Sequence, residues 1–245
     1  NVSYLIFTTP ELLAQYEDKA ADGTTFLTDP EACPRAAYRW YQEYATRDYP
    51  HPEFAYQSMA DQGNGTYKNP IIKADFPDPD VVRVGDTYYM VTTTMHHFPG
   101  CTLLKSKDLV DWEYCTNPLA KMSSNPEYNL ENGMNIYSKG SWANSLMYKN
   151  GKFYIMFNAF GRGDDGGGYL LSASDPEGTW TMKRLARGCY DPGMMTDDNG
   201  TTYVACGNTN ISVVQLDDDF NLVNEVVVIK DHPGVEGSHM FKKDG

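Results

Sequence analysis

The sequence predicts an all-β fold built from a repeated four-stranded unit, preceded by a short helical extension. Three observations carry this expectation. From Asn69 onward, β-branched and aromatic runs are divided by Gly and Asp/Asn turns. A strand–turn–strand pattern recurs along that stretch. Each recurrence is followed by a third strand that ends in an acidic turn.

The N-terminal part has a different texture. Thr9-Pro10-Glu11, followed by Leu12, Leu13 and Tyr16, reads as a capped short helix with Pro at its first position. Asp29-Pro30-Glu31, then Ala36, Ala37, Trp40, Tyr41 and Tyr44, reads as a second helix whose aromatic stripe packs against the main domain. The polar run Asp61-Gln62-Gly63-Asn64-Gly65-Thr66 reads as a linker. Residues 1–66 are therefore expected to form a partly helical extension with its linker, and residues 67–245 the main domain.

In the first unit, Asp80–Val84 and Thr87–Thr93 flank the turn Gly85-Asp86. In the second, Ser145–Tyr148 and Phe153–Phe157 flank Asn150-Gly151, and in the third Gly193–Met195 and Thr202–Ala205 flank Asn199-Gly200. Asn-Gly is a strong hairpin signal because both central residues of a type I′ turn need positive φ. The acidic turns at Asp108–Trp112, Asp175–Trp180 and Asp217–Leu222 close the third strands, and Glu225–Ile229 reads as a fourth. Four antiparallel strands per unit are the make-up of a β-propeller blade. An insertion around Asn117–Lys139 enlarges the spacing of the first two units. Gly161–Gly168 is too glycine-rich for a strand and lacks the setting of a phosphate loop, so it reads as a loop. A fourth unit opens at Ser238–Phe241 and the sequence stops at Gly245, so three blades, the start of another and further chain beyond are expected.

Composition narrows the partners. A chain of 245 residues suffices for one large domain or a domain with an appendage, and 41% apolar and 13% aromatic residues supply a packed core. A net charge of −13 excludes nucleic acid, whose phosphates need a basic surface, and disfavours anionic membranes. Neutral sugars are compatible with it. No run approaches the roughly 18 apolar residues of a membrane span. The five cysteines form no CxxC pair and no Cys/His metal spacing, so a zinc site is not expected. They read as buried, inert residues, with Cys101 and Cys115 as the disulfide candidate. The sequence starts at Asn1 without Met, as a mature form or a piece does. A secreted or periplasmic location is favoured over a cytoplasmic one, and nothing sets an oligomeric state.

Propeller blades aim the start of their innermost strand at a central channel. In this sequence those places are acidic: Asp78 lies seven residues before Gly85, Asp191 nine before Gly200 and Glu236 nine before Gly245, while the second unit has Trp142 there. Convergence of three carboxylates and an aromatic would form one pocket. Read singly, each acid has a plain alternative. Asp78 sits in a Pro-Asp-Pro-Asp run with Asp75 and Asp80 as neighbours, Asp191-Pro192 is compatible with a turn start, and Glu236 with an exposed loop.

Asn69-Pro70-Ile71-Ile72 with Asp75-Phe76-Pro77-Asp78-Pro79-Asp80-Val81, then Gly85-Asp86-Thr87-Tyr88-Tyr89, resembles the opening motif of glycoside hydrolase family 43. Phe98-Pro99-Gly100, Ser106–Val110 and Trp112 extend the likeness in the manner of its β-xylosidase and α-L-arabinofuranosidase members. Tyr190-Asp191-Pro192 and Val235-Glu236-Gly237-Ser238-His239-Met240-Phe241 resemble the motifs around its second acid and its general acid. The resemblance runs from about Asn69 to the end and implies a five-bladed β-propeller. It also implies Asp78 as general base, Glu236 as general acid, and Asp191 as the third carboxylate that orients the acid and adjusts its pKa. Phe98 is implied as a wall of the sugar subsite. Trp142 either stacks on a sugar face or fills the core between blades, and His239 contacts substrate or the channel centre. His96 and His97 are assigned no role. The sequence departs from the pattern at Trp142-Ala143-Asn144, where Trp-Ala-Pro is usual, and at Glu236-Gly237-Ser238.

The implied activity is inverting removal of terminal β-D-xylose or α-L-arabinofuranose from arabinoxylan oligosaccharides, with an endo-acting arabinanase as the alternative. No cofactor is required, although several relatives hold a structural calcium. A non-catalytic carbohydrate-binding propeller would keep Phe98 and Trp142 without needing all three acids. A protein-interaction propeller would have more uniform repeats and no channel acids.

Overall fold

The computed structural model describes residues 60–95, 100–122, 126–128, 130–135, 137–160 and 166–243, all within the compact unit Tyr56–Gly245. The two expected N-terminal helices, His96, His97 and Phe98 lie outside the described residues.

The described chain is almost entirely β, with one 3-10 turn at Glu131–Gly133. Three four-stranded antiparallel sheets follow one another in sequence. The first is β1 (Asp80–Val84), β2 (Thr87–Thr92), β3 (Thr102–Ser106) and β4 (Trp112–Thr116). The second is β5 (Ser141–Lys149), β6 (Lys152–Ala159), β7 (Gly167–Ala173) and β8 (Thr181–Arg184). The third is β9 (Gly193–Thr196), β10 (Thr202–Cys206), β11 (Ile211–Leu216) and β12 (Leu222–Ile229). In each sheet the strands keep their sequence order, as short turns dictate, and the leading strands β1, β5 and β9 pack successively against one another.

The hairpin turns obey local chemistry. Asn150 and Gly151 both have positive φ, 51° and 77°, the requirement of a type I′ turn, and they join Lys149 to Lys152. At Gly85-Asp86 only the glycine has positive φ, the pattern of a type II′ turn. The third hairpin differs from expectation. Asn199-Gly200 belongs to a longer loop in which Asp197 Oδ1 accepts from the Asn199 and Thr201 amides at 2.9 and 2.8 Å. The Asp side chain there adds to the backbone bonds of the turn, Gly200 N–H to the Asp197 carbonyl and Asp197 N–H to the Thr201 carbonyl, both at 3.0 Å.

Strand alternation builds two cores on opposite faces of the second sheet. Leu146, Phe153, Ile155, Phe157 and Leu171 pack toward the first sheet, with Val91, Leu103 and Tyr128. Met147, Met156 and Leu170 pack toward the third, with Met194, Val204 and Val214. Neighbouring residues such as Leu146/Met147 and Ile155/Met156 thus serve different cores, because successive strand side chains point to opposite faces. Burying each such side chain contributes about 1.5–3 kcal/mol. On the far face of the first sheet, Met90, Leu104 and Trp112 are covered by Ile71, Ile72 and Phe76.

Three expectations need correction. Cys101 and Cys115 are free thiols, and the disulfide joins Cys189 to Cys206, whose Cα atoms are 5.4 Å apart. Cys101 instead sits buried beside Asn144, its Sγ 3.5 Å from Asn144 Oδ1. Gly167 and Gly168 are part of β7, paired with Ala159 and Asn158, because a neighbouring strand supplies the partner that glycine's own propensity lacks. Ser238–Phe241 runs without β-pairing, since a strand exists only against a partner and none of the described residues provides one.

Candidate active site

The site is built where the inner strands begin. Asp78 lies two residues before β1 and has φ 48°, and Asp191 lies two residues before β9 and has the same φ. In the second sheet the corresponding kink falls on Ala143, φ 44°, inside a bulge between Trp142 and Ser145. The sequence reading places Trp142 at that position, and the bulge moves it by one residue. Gly237, φ 65°, makes a similar reversal directly after Glu236. Non-glycine residues seldom take positive φ, and such conformations gather at functional sites. Asp tolerates the left-handed region better than most residues. At Asp78 and Asp191 the reversal turns the residue out of the strand line before the ladder begins.

The three sequence-predicted acids are brought together. Asp191 is half-buried, and Asp78 and Glu236 are exposed. Burial, then the Glu236 charge and then that of Asp78, push the Asp191 carboxyl above its ordinary range, against the Gly237 backbone N–H that it accepts. Asp191 thus lies within electrostatic reach of both other acids. Its link to Gly237 ties the segment after the third sheet's opening to the segment bearing Glu236. Close approach reinforces that tie, because a Cβ on Gly193 would fall on the Ser238 carbonyl oxygen and within 3.2 Å of His239 Cα.

Glu236 has two further partners. The Asn208 side-chain amide donates to its Oε2 at 2.5 Å. The Tyr190 hydroxyl donates to it as well, and the Tyr190 pKa is raised by burial first and then by the Asp191 and Glu236 charges. An aromatic row continues from Tyr190. Phe160 lies edge-on to Tyr190 with ring centroids 6.4 Å apart, and edge-on to Trp142 at 5.2 Å. Trp142 is half-buried, and its indole N–H is buried without a hydrogen-bond partner among the described residues. His239 is exposed, with Nδ1 3.8 Å from Asp80 Oδ1. Sequence reasoning missed Tyr190, Asn208 and Phe160 as site residues. Tyr190 adjoins Asp191 in its motif, which was the available signal; Asn208 and Phe160 carry none.

Among the described residues no three His, Cys, Asp or Glu side chains gather closely enough to hold a metal ion. What the arrangement offers is three carboxylates, an amide, a phenol and an aromatic wall. That combination suits proton transfer on a neutral, hydroxyl-rich ligand.

Comparison with known proteins agrees. A β-xylosidase from Formosa agariphila is 33% identical over 207 residues, covering 77% of this chain and 34% of the relative. A non-reducing-end α-L-arabinofuranosidase from Bacteroides ovatus is 39% identical over 116 residues, covering 47% of this chain and 21% of the relative. Among solved structures, the bifunctional GH43-CE protein of Bacteroides eggerthii superposes with a TM-score of 0.65 at 34% identity, over 72% of this chain and 24% of that one. A GH43 enzyme engineered to display both endo-xylanase and exo-arabinofuranosidase activity superposes with a TM-score of 0.64 at 31% identity, over 73% of this chain and 37% of that one. The chain spans about a third of the length of the curated relatives it matches over most of its residues. The signature described as "Glycosyl hydrolases family 43" matches residues 67–245, and the chain belongs to that family.

Proposed function

We propose that this chain carries the catalytic carboxylates of an inverting exo-glycosidase. It removes terminal β-D-xylose or α-L-arabinofuranose from arabinoxylan oligosaccharides on a five-bladed propeller. The observation that carries the reading is that Asp191 lies within electrostatic reach of both Asp78 and Glu236, whose charges add to burial in raising its carboxyl. The xylosidase and arabinofuranosidase relatives support the substrate class.

In the reaction, ionised Asp78 takes a proton from a water that attacks the anomeric carbon. Protonated Glu236 gives its proton to the glycosidic oxygen as the C–O bond breaks. One water is added, the anomeric configuration inverts, and proton exchange with solvent resets both groups. Inversion requires base and acid roughly 6.5–9.5 Å apart, so that the water fits between base and sugar. Exposed Asp78 is accessible to that water. Asn208 and Tyr190 hold Glu236, and Asp191 holds the acid's segment through Gly237. The reaction takes no cofactor. The Cys189–Cys206 disulfide supports an oxidising compartment.

The test is turnover of nitrophenyl β-D-xyloside and nitrophenyl α-L-arabinofuranoside by the full-length protein, beside Asp78→Ala and Glu236→Ala. Each substitution is expected to lower kcat by about 10²–10⁴-fold. Proton NMR of the first product anomer should report inversion. Parental turnover in both variants, or a retained anomer, overturns the proposal.

A further inference from the structure

Asp80 opens β1 two residues beyond Asp78, and its carboxylate joins segments from all three sheets. Oδ2 accepts from Ser145 Oγ at 2.9 Å and from the Leu146 amide at 2.8 Å, both on β5. Ser145 Oγ itself accepts from the Met194 amide of β9 at 2.8 Å. The direction of this relay is set. The Met194 N–H occupies a lone pair of the serine, and the serine proton goes to the aspartate. On the other side, Asp80 Oδ1 faces His239 Nδ1 at 3.8 Å, three residues beyond Glu236. The junction is enclosed: the Asp80 side chain is 14% exposed and Ser145 is fully buried.

The joined segments are the ones that bear the site. Asp80 follows Asp78, Ser145 follows the Trp142–Ala143 bulge, Met194 follows Asp191 by three residues, and His239 follows Glu236. An enclosed carboxylate is disfavoured unless its lone pairs are filled, and apolar packing would join three strands without that cost. What directed bonds add is a defined offset between strands. Misplacing reacting groups by about 1 Å can cost on the order of a hundredfold in rate.

We propose that Asp80, through Ser145, is a positioning residue that sets the distance between Asp78 and the Asp191–Glu236 pair. This rests on the glycosidase reading above. It touches no substrate in this role and acts through the strand offsets.

The experiment uses the full-length protein with Asp80→Ala, Asp80→Asn, Ser145→Ala and the Asp80→Ala/Ser145→Ala double variant, beside Asp78→Ala. Rates on nitrophenyl β-D-xyloside are expressed per folded protein, with thermal midpoints measured in parallel. Asp80→Ala is expected to lower kcat about a hundredfold and Ser145→Ala about tenfold, with KM within roughly twofold of the parent. Asp80→Asn keeps an oxygen acceptor for both donors and should recover most of the loss. The double variant should fall no further than Asp80→Ala, because both substitutions break one relay. A lowered thermal midpoint with parental kcat in the folded protein, in Ser145→Ala as in Asp80→Ala, overturns the proposal. If Asp80→Ala does not fold, Ser145→Ala decides it by the same criterion. Activity in Asp78→Ala would instead remove the base assignment, so the two failures are distinguishable.

Discussion

The Cys189–Cys206 bridge gives a prediction whose size follows from the fold. It spans 17 positions, from the residue before Tyr190-Asp191 to the last residue of β10. Chain-entropy arithmetic for a loop of that size assigns about 3 kcal/mol to the cross-link. Both cysteines are buried, at 8% and 3% exposure, in the core shared by the second and third sheets. Reduction leaves both sulfurs in place, so it isolates the loop contribution from packing; alanine substitution removes both. For a protein of this size, about 3 kcal/mol corresponds to a drop in thermal midpoint of roughly 6–12 °C. The assay is calorimetry with and without reductant, on the parent and on Cys189→Ala/Cys206→Ala. The double variant should unfold at least as early as the reduced parent and be indifferent to reductant. Peptide mapping after alkylation in denaturant should find residues 189 and 206 linked. Without denaturant, Cys115 should label slowly at neutral pH, because burial and then the Glu177 charge push its thiol up to about 11. Free thiols at 189 and 206 in unreduced protein, or an unchanged midpoint once the bridge is open, would refute the reasoning.

Two other outcomes follow from the site. Asp191 is expected to act against stability when ionised. Its folded pKa is raised by burial and by the Glu236 and Asp78 charges, so the folded state holds the proton more tightly than the unfolded state does. The associated stability is complete below the unfolded carboxylate pKa and is lost as pH rises through the raised folded value. Asp191→Asn should therefore flatten the decline in thermal midpoint above the carboxylate range while kcat drops on the order of a hundredfold; an unchanged midpoint–pH profile would contradict this. Gly193→Ala drives a Cβ onto the Ser238 carbonyl oxygen, separating the Asp191 and Glu236 segments. It should cost about 1–3 kcal/mol and lower kcat as well, and parental values for both would show that the close approach is not needed.

Much of the architecture was legible because its causes are local. The Asn150-Gly151 turn, the pairing of Val84 with Thr87, and the alternation that sends Leu146 and Met147 to different cores depend on neighbours within a few residues. The repeat also marked Asp78, Asp191 and Glu236, and the structure gathers them. The reading lost its footing where partners are remote. Ser145 reads as an ordinary strand serine until Asp80, 65 positions earlier, and Met194, 49 positions later, are placed against it. Cys101 and Cys115 read as the disulfide candidate, yet they occupy a buried polar knot and a sheet edge, while Cys189 and Cys206 meet across the third sheet's opening.

The sequence by itself determined the strands, their order within each sheet and the placement of acids at strand entrances, because turn chemistry and the two-residue pleat act along the chain. Only the tertiary structure decided which cysteines join, that the second sheet's kink falls on Ala143, and that Gly193 must lack a side chain for the acid-bearing segment to approach. Those outcomes depend on distances across the stacked sheets. Such distances are set by how the two cores pack, and spacing along the chain does not encode them.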